Sequence, residues 1–244
     1  MIRKVPRETS LSAAAVHRRM KALADPARAV GHQRFFKTAP GEYGAGDRFL
    51  GITVPVLRTL ARDFRDLPLR ETTQLLGSPW HEERLLALLI LVRQYARGDT
   101  RKREAIHRLY LKNSAWINNW DLVDVSAEHI IGAHLPAGRR GLLRRLARSK
   151  LVWERRIAIL ATFHYIKQGE YRDTLAIAGL LLDDSHDLIH KAVGWMLREV
   201  GNRDRVAEER FLDTNAGRMP RTMLRYAIER FPEPRRRQYL TSDK

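Results

Sequence analysis

Along most of this chain, apolar residues recur at the three- and four-residue spacing that places them on one face of an α-helix. No run alternates with the two-residue period of a β-strand. His81 to Arg97 and Arg156 to Ile166 are apolar segments too long for typical strands. The same spacing predicts further helices at about 11–25, 54–65, 70–77, 101–112, 119–134, 138–149, 171–182, 187–201, 204–213 and 219–231. The pattern therefore predicts an all-α protein.

The predicted helices are paired, and the pairs repeat. From residue 80 onward a pair begins about every 35–40 residues, as in HEAT-like arrays. Helices that start near 80, 119, 152 and 187 are expected to form one layer, and those near 101, 138, 171 and 204 the other. The predicted fold is an α-α superhelix, a HEAT-like repeat solenoid with one concave face.

Linkers rich in proline, glycine or serine do not interrupt the helical region, so a single repeat domain is expected over 11–231. Residues 1–10 are expected to form a flexible N-terminal tail. Residues 232–244, which include Arg235, Arg236 and Arg237, are expected to form a charged C-terminal tail that frays.

The charge of the chain points to a polyanion. Lysine and arginine number 45 against 28 acidic residues, which gives a net charge of +17 and a pI near 10.8. Such an excess on a helical repeat predicts that the concave face is basic and binds DNA. An arginine-rich proteome is the alternative explanation, because arginine outnumbers lysine 36 to 9.

Composition also excludes several classes of protein. The chain has no cysteine, so it has neither disulfides nor cysteine-ligated metal sites. Its longest apolar run, Leu85 to Val92, is far shorter than the ~20 residues that cross a bilayer. The first residues carry charges with no apolar stretch after them, unlike a secretory signal. We expect a cytoplasmic protein, associated with the nucleoid through DNA.

Trp120 and Asp124 carry the most informative chemistry. They are four residues apart, so a helix places the indole and the carboxylate on one face. An aromatic plane beside a carboxylate, in so basic a chain, fits a cationic group presented by a polyanion, such as a damaged base in DNA. Taken alone, Trp120 is better explained as a partly buried core residue, and Asp124 as a solvated helix carboxylate or as the partner of an arginine.

Eight phrases of the sequence, spread over about residues 30–231, are informative together. They are, in order, Phe35-Phe36-Lys37-Thr38, Gly46-Asp47-Arg48-Phe49-Leu50-Gly51, Val54-Pro55-Val56-Leu57-Arg58, His81-Glu82-Glu83-Arg84-Leu85, Asn119-Trp120-Asp121-Leu122-Val123-Asp124, Trp153-Glu154-Arg155-Arg156, Lys191-Ala192-Val193-Gly194-Trp195-Met196-Leu197-Arg198-Glu199 and Arg221-Thr222-Met223-Leu224-Arg225-Tyr226-Ala227-Ile228-Glu229. In this order they resemble the AlkD-like DNA alkylation repair glycosylases, a family built of HEAT-like repeats.

The resemblance implies a monofunctional DNA glycosylase that excises cationic N3- or N7-alkylated purines without base flipping. Asp124 corresponds to the family's catalytic aspartate, Trp120 and Trp195 to its flanking tryptophans, and Arg156 to the arginine of the third repeat. Asn119 stands where the best-known member has a second aromatic residue, a change expected to alter backbone contact or lesion range.

This set of residues suits the implied reaction. A cationic purine leaves as a neutral base without a proton, and positive charge moves onto the deoxyribose. Asp124 is expected to stabilise that charge and orient a water, the tryptophans to offer π faces, and Arg156 to hold a phosphate. Lys191 is the only lysine in the phrases that carry these four residues, so no Schiff-base step is expected.

Further basic residues are expected to bind the DNA backbone. They are Lys191, Arg144, Arg145 and Arg148, although for the arginines taken alone an ordinary solvated helix face is the better explanation. His186 and His190 stand four apart beside Asp183, Asp184 and Asp187, but a metal site needs a third convergent ligand. We expect instead a solvated helix start capped by Ser185 or Asp184, with no metal and no cofactor.

The expected partner is double-stranded DNA that contains alkylated purines, bound by a monomer without an obligate protein partner or a membrane. The first alternative is a non-catalytic HEAT-repeat protein that binds DNA or RNA structures. The second is a scaffold for acidic proteins. Salt separates DNA binding from the latter, because contacts to about six phosphates cost roughly 10³-fold in affinity between 50 and 200 mM salt.

Overall fold

The computed structural model describes residues 11–136, 138 and 140–241, and most of these residues are helical. Its α-helices are α1 (Ala13–Lys21), α2 (Pro26–Phe35), α3 (Val54–Asp63), α4 (Leu69–Leu76), α5 (His81–Arg97), α6 (Thr100–Lys112), α7 (Trp120–Asp124), α8 (Gly141–Ala147), α9 (Val152–Ala161), α10 (Phe163–Ile166), α11 (Arg172–Leu180), α12 (Asp187–Gly201), α13 (Arg205–Asn215), α14 (Arg221–Ala227) and α15 (Glu233–Thr241). Within these ranges an isolated bridge between Arg48 and Trp80 is the only strand-like pairing. The predicted all-α class is confirmed.

The chain packs into two compact units, divided between Leu122 and Val123. A single domain over 11–231 stays a prediction, and residues 1–10 lie outside the described part. Of the helices described, each is too short or too polar to cross a bilayer.

In the first unit α5 is the central helix. It packs against α3, α4 and α6, and α1 packs against α4. Leucine and isoleucine lie on several faces of α5, from Leu85 to Leu91. All of them except the half-buried Leu89 are buried, because neighbours cover the helix on several sides. This explains an apolar run too dense for a helix with one solvated face.

In the second unit α12 is the central helix. It packs against α9 and α14, its counterparts in the neighbouring helix pairs, while α8 packs against α9 and α11. The layers predicted for helices starting near 152 and 187, and near 138 and 171, are therefore present within this unit. Gly194 allows α12 to approach α14 closely, because a Cβ there would lie 2.4 Å from the carbonyl oxygen of Met223.

Two segments differ from the predicted helices. The helix predicted at about 119–134 is interrupted: α7 ends at Asp124, and a π-helical turn follows at Glu128–Gly132. Between them the Ser126 hydroxyl donates to the Val123 carbonyl at 3.4 Å, in competition with the helical backbone bonds. The periodicity also missed α2, of which only Ala29 is buried, although Asp25 caps it and Pro26 opens it.

The C-terminal segment also differs from the tail expected over 232–244. Within its described part, Glu233–Thr241 form α15, and Tyr239 is buried with its ring 5.7 Å from that of Phe231. Arg235 pairs with Glu209 at 3.3 Å. The ring contact and this ion pair join α15 to the rest of the second unit.

Candidate active site

Two of the catalytic residues predicted from the sequence, Trp120 and Asp124, lie on α7. Side chains stabilise the start of this helix. The Asn119 amide oxygen accepts the backbone N–H of Trp120 at 2.8 Å, and Asp121 accepts that of Leu122 at 2.9 Å. Asn119 has no exposed surface. Asn119, the position at which this sequence departs from the family pattern, therefore lies inside the protein at the base of α7.

The indole of Trp120 lies on an aromatic cluster of the first unit. Phe36 stacks on it with a centroid distance of 5.5 Å and an interplanar angle of 23°, and Phe35 meets it edge-on at 5.8 Å. Phe35 is 64% exposed. The sequence pattern predicts no role for either phenylalanine, although both belong to one of the phrases that carry the family resemblance.

Beneath this aromatic cluster lies a buried group of charged residues, namely Asp47, His81, Arg84 and Asp121. The two ring nitrogens of His81 face Asp47 at 3.2 Å and Asp121 at 2.8 Å, and Arg84 pairs with Asp47 at 2.6 Å. Burial by itself lowers the pKa of His81, but Asp121 and Asp47 outweigh it and raise that pKa to about 9. His81 is therefore an imidazolium cation at neutral pH.

In the second unit the structure brings Asp124 and Arg156 together. Arg156 Nε donates to Asp124 Oδ1 at 2.9 Å, and Nη2 donates to Oδ2 at 2.8 Å. Nη1 donates to the Leu188 carbonyl at 2.6 Å, so each guanidinium nitrogen has a partner. This bidentate geometry fixes the plane of the carboxylate, while the Asp124 side chain remains 18% exposed.

Arg156 is itself buried, with 5% of its surface exposed. Its predicted contact with a DNA phosphate is not tested by this geometry and stays a prediction. The contacts present assign it a different immediate task, which is to orient Asp124. Spacing along the sequence does not reveal this pairing, because the two residues are 32 positions apart.

Trp195 lies on α12, directly after the closely packed Gly194. Its indole N–H donates to Glu199 at 3.3 Å, and its ring centroid lies 6.0 Å from that of Phe163. Glu199 also pairs with Arg203 at 2.8 Å. The indole of Trp195 is therefore held at one edge and one side, and part of it is exposed.

The predicted backbone-binding residues are accessible to different extents. Arg144, Arg145 and Arg148 are exposed, the first two in α8 and the third at its C-terminal cap. Lys191 pairs with Asp187 at 2.7 Å, with 40% of its side chain exposed. Their roles in DNA binding stay predictions.

The histidines near the start of α12 serve its N-terminus. His186, rather than the expected Ser185 or Asp184, is the N-cap, and its Nδ1 accepts the Leu188 N–H at 3.1 Å. His190 Nε2 donates to the Asp184 carbonyl. Burial lowers the pKa of His186, which favours the neutral ring that a cap acceptor requires.

Comparison with known proteins identifies the family of the chain. A family model described as DNA alkylation repair enzyme matches residues 16–231. Among solved structures, a predicted DNA alkylation repair enzyme from Enterococcus faecalis aligns with a TM-score of 0.65 and 15% identity, over 86% of this chain and 97% of that one. At that identity the likeness shows the fold alone. No curated protein matched the chain. Because the family model spans most of the chain, the protein belongs to the family of DNA alkylation repair enzymes.

Proposed function

We propose that the protein is a monofunctional DNA glycosylase that hydrolyses the N-glycosidic bond of cationic N3- or N7-alkylated purines in duplex DNA and leaves an abasic site. The observation that carries this proposal is the Asp124 carboxylate, held in plane by Arg156 and still partly exposed. A pure DNA-binding surface has no need of a carboxylate that faces a polyanion. Membership of a DNA repair family makes DNA the substrate.

One carboxylate is sufficient for this reaction. Sugar hydrolases need a general acid because their leaving group must be protonated. An alkylated purine is already cationic, so the bonding electrons pass to the base and it departs neutral. The positive charge develops on the deoxyribose, where Asp124 stabilises it and orients the attacking water. Groups placed against a developing charge typically lower the activation barrier by about 3–4 kcal/mol.

Trp120 and Trp195 supply aromatic faces to the charged sugar and base. The face of an indole attracts a cation, by ~2 kcal/mol when water is excluded. Each indole has supporting rings, Phe35 and Phe36 for Trp120 and Phe163 for Trp195, which limit its motion. In this proposal the damaged base stays stacked in the duplex, as the family resemblance implies, rather than entering a pocket.

The basic residues divide into two roles. Arg156 positions Asp124, and backbone phosphates are bound by Arg144, Arg145, Arg148 and Lys191. A Schiff-base step needs a neutral amine, whereas Lys191 forms an ion pair with Asp187. The product is therefore an abasic site in an unbroken strand.

The test is excision from a duplex that carries one N7-methylguanine, with wild type, Asp124→Asn and Asp183→Asn compared. Asp183 is a matched control because its exposed carboxylate pairs with the exposed Arg218 at the surface. Wild type and Asp183→Asn should release the base, and the strand should break only after alkali or heat. Asp124→Asn should bind the duplex but lose about 10²–10³-fold in rate. Equal excision by Asp124→Asn would refute the mechanism, and tight binding without release from N7 or N3 adducts would favour a non-catalytic binding protein.

A further inference from the structure

We propose that His81 is a positioning residue for the reaction, which holds Trp120 in place through both Asp121 and Phe36. The inference rests on the proposed function for its catalytic consequence. Its structural part, the coupling of His81 to Trp120, can be tested without catalysis. His81 is 1% exposed, so it does not touch DNA in this conformation.

The first connection is a hydrogen bond to the helix that carries the indole. His81 Nε2 lies 2.8 Å from Asp121 Oδ2, and the other oxygen of Asp121 accepts the backbone N–H of Leu122. Asp121 directly follows Trp120. The carboxylate thus joins the imidazole to the first turn of α7, and His81 is the cation paired with it among the described residues.

The second connection is aromatic packing. The His81 ring lies 4.7 Å from both Phe36 and Phe49, and Phe36 and Phe49 stack at 5.1 Å. Phe36 also stacks on Trp120, with a centroid distance of 5.5 Å. A displacement of His81 therefore reaches the indole through a single intervening ring, and reaches its backbone through a single carboxylate.

The position of His81 is itself fixed. Its backbone N–H donates to the Arg48 carbonyl at 2.8 Å. The next residue, Glu82, accepts three backbone N–H groups at 2.8–3.3 Å, from Leu50, Gly51 and Ile52. The N-terminus of α5 is thus tied to the preceding segment without the imidazole. The imidazole is therefore not required for that tie, but its loss would leave the Asp121 carboxylate without its cation.

The charges around His81 make its hold on Trp120 depend on the protonation of the imidazole. The charged groups facing it are Asp47, Asp121 and Arg84, and Arg84 already neutralises Asp47 through a 2.6 Å pair. As an imidazolium, His81 donates to both carboxylates. When it loses a proton, one ring nitrogen presents a lone pair to a carboxylate, and a buried charge loses its partner. Buried groups with such displaced titration are common at functional sites.

The first experiment needs no DNA. Tryptophan fluorescence is titrated from about pH 7 to 10, and the signal of Trp120→Phe is subtracted from that of wild type to isolate Trp120. The Trp120 signal should change with a midpoint near 9, the pKa of His81, and the change should be missing from His81→Gln. A Trp120 signal that stays flat across this range in wild type would overturn the proposal, whether or not His81→Gln folds.

The second experiment separates positioning from a general structural role. Single-turnover excision and duplex affinity are measured for wild type, His81→Gln and the control His129→Gln, whose side chain is exposed. His81→Gln should lose about 10- to 100-fold in rate, as expected for a misplaced catalytic group, with affinity unchanged within about twofold. A wild-type rate in His81→Gln, or an equal loss of rate and affinity, would refute the positioning role. If wild type excises nothing, the proposed function fails, and the fluorescence titration still decides the coupling.

Discussion

Arg156 and Asp124 form a bidentate ion pair, with N–O distances of 2.9 and 2.8 Å, between a buried guanidinium and a partly exposed carboxylate. Such a pair holds both oxygens of the carboxylate in the plane of the guanidinium. The sequence predicted that both residues act on DNA, Asp124 on the sugar and Arg156 on a phosphate. Their pairing makes the arginine a support for the aspartate.

We predict that Arg156→Ala impairs excision more than it impairs duplex binding. Removal of one partner leaves the Asp124 carboxylate without its buried counterion, and breaking such a pair costs about 3–5 kcal/mol. Arg156→Lys should recover part of the stability but little of the rate, because an ammonium cannot hold both oxygens. The measurements are single-turnover rate, affinity and thermal unfolding. An affinity loss larger than the rate loss would instead support the phosphate contact predicted from the sequence.

The exposed arginines of α8 offer a test of backbone binding. Each of Arg144→Gln, Arg145→Gln and Arg148→Gln should reduce the slope of log affinity against log salt by about 1, uniformly across DNA sequences. Arg237→Gln is the control, because that exposed arginine lies on α15 and pairs with Glu233. Unchanged slopes in all three variants would mean that these side chains form an ordinary solvated helix face.

Close packing beside Trp195 predicts a large effect of one methyl group. In Gly194→Ala the new Cβ would lie 2.4 Å from the Met223 carbonyl oxygen and 2.5 Å from the Tyr226 Cβ, so α12 and α14 must separate. We expect a loss of about 1–3 kcal/mol in stability, together with slower excision because Trp195 follows Gly194 directly.

Gly179→Ala is the matched control for that variant. A Cβ at Gly179, in the last turn of α11, meets nothing within 4 Å. It should therefore raise stability by up to about 1 kcal/mol through helix propensity and leave excision unchanged. Chemical unfolding and the excision assay report both effects. Equal stability in the two alanine variants would show that α12 and α14 adjust without cost.

The helices that the sequence predicts best are those with the most burial. The predicted bounds of α5 and α12, 81–97 and 187–201, are those observed, because many apolar residues mark them. Helix α2 has one buried residue, and α15 likewise has only Tyr239, so neither leaves a clear apolar period. Their stability comes from caps and from tertiary contacts, which a periodicity does not record.

In the candidate site, too, the sequence predicted some residues and missed others. The four-residue spacing correctly placed Trp120 and Asp124 on one short helix. The partners that hold them are distant in sequence: Arg156 is 32 positions from Asp124, and His81 is 40 positions from Asp121. Such pairs arise from the packing of helices against one another. A single sequence supplies the reactive groups, therefore, but not the groups that orient them.

A buried carboxyl group in the second unit, that of Glu208, should make the stability of the protein depend on pH. Glu208 is 1% exposed, and burial raises its pKa to about 8 from an ordinary value of 4.5. Between these two values the folded state holds a proton that the unfolded state releases. The contribution of Glu208 is therefore fully present below about pH 4.5, and stability falls as pH rises toward 8, by at most about 1.4 kcal/mol per pH unit. Glu208→Gln cannot ionise, so it should flatten this slope, whereas Glu233→Gln, a change at an exposed carboxylate, should not. Urea unfolding at several pH values measures the slopes, and parallel curves for wild type and Glu208→Gln would mean that Glu208 stays ionised in the folded protein.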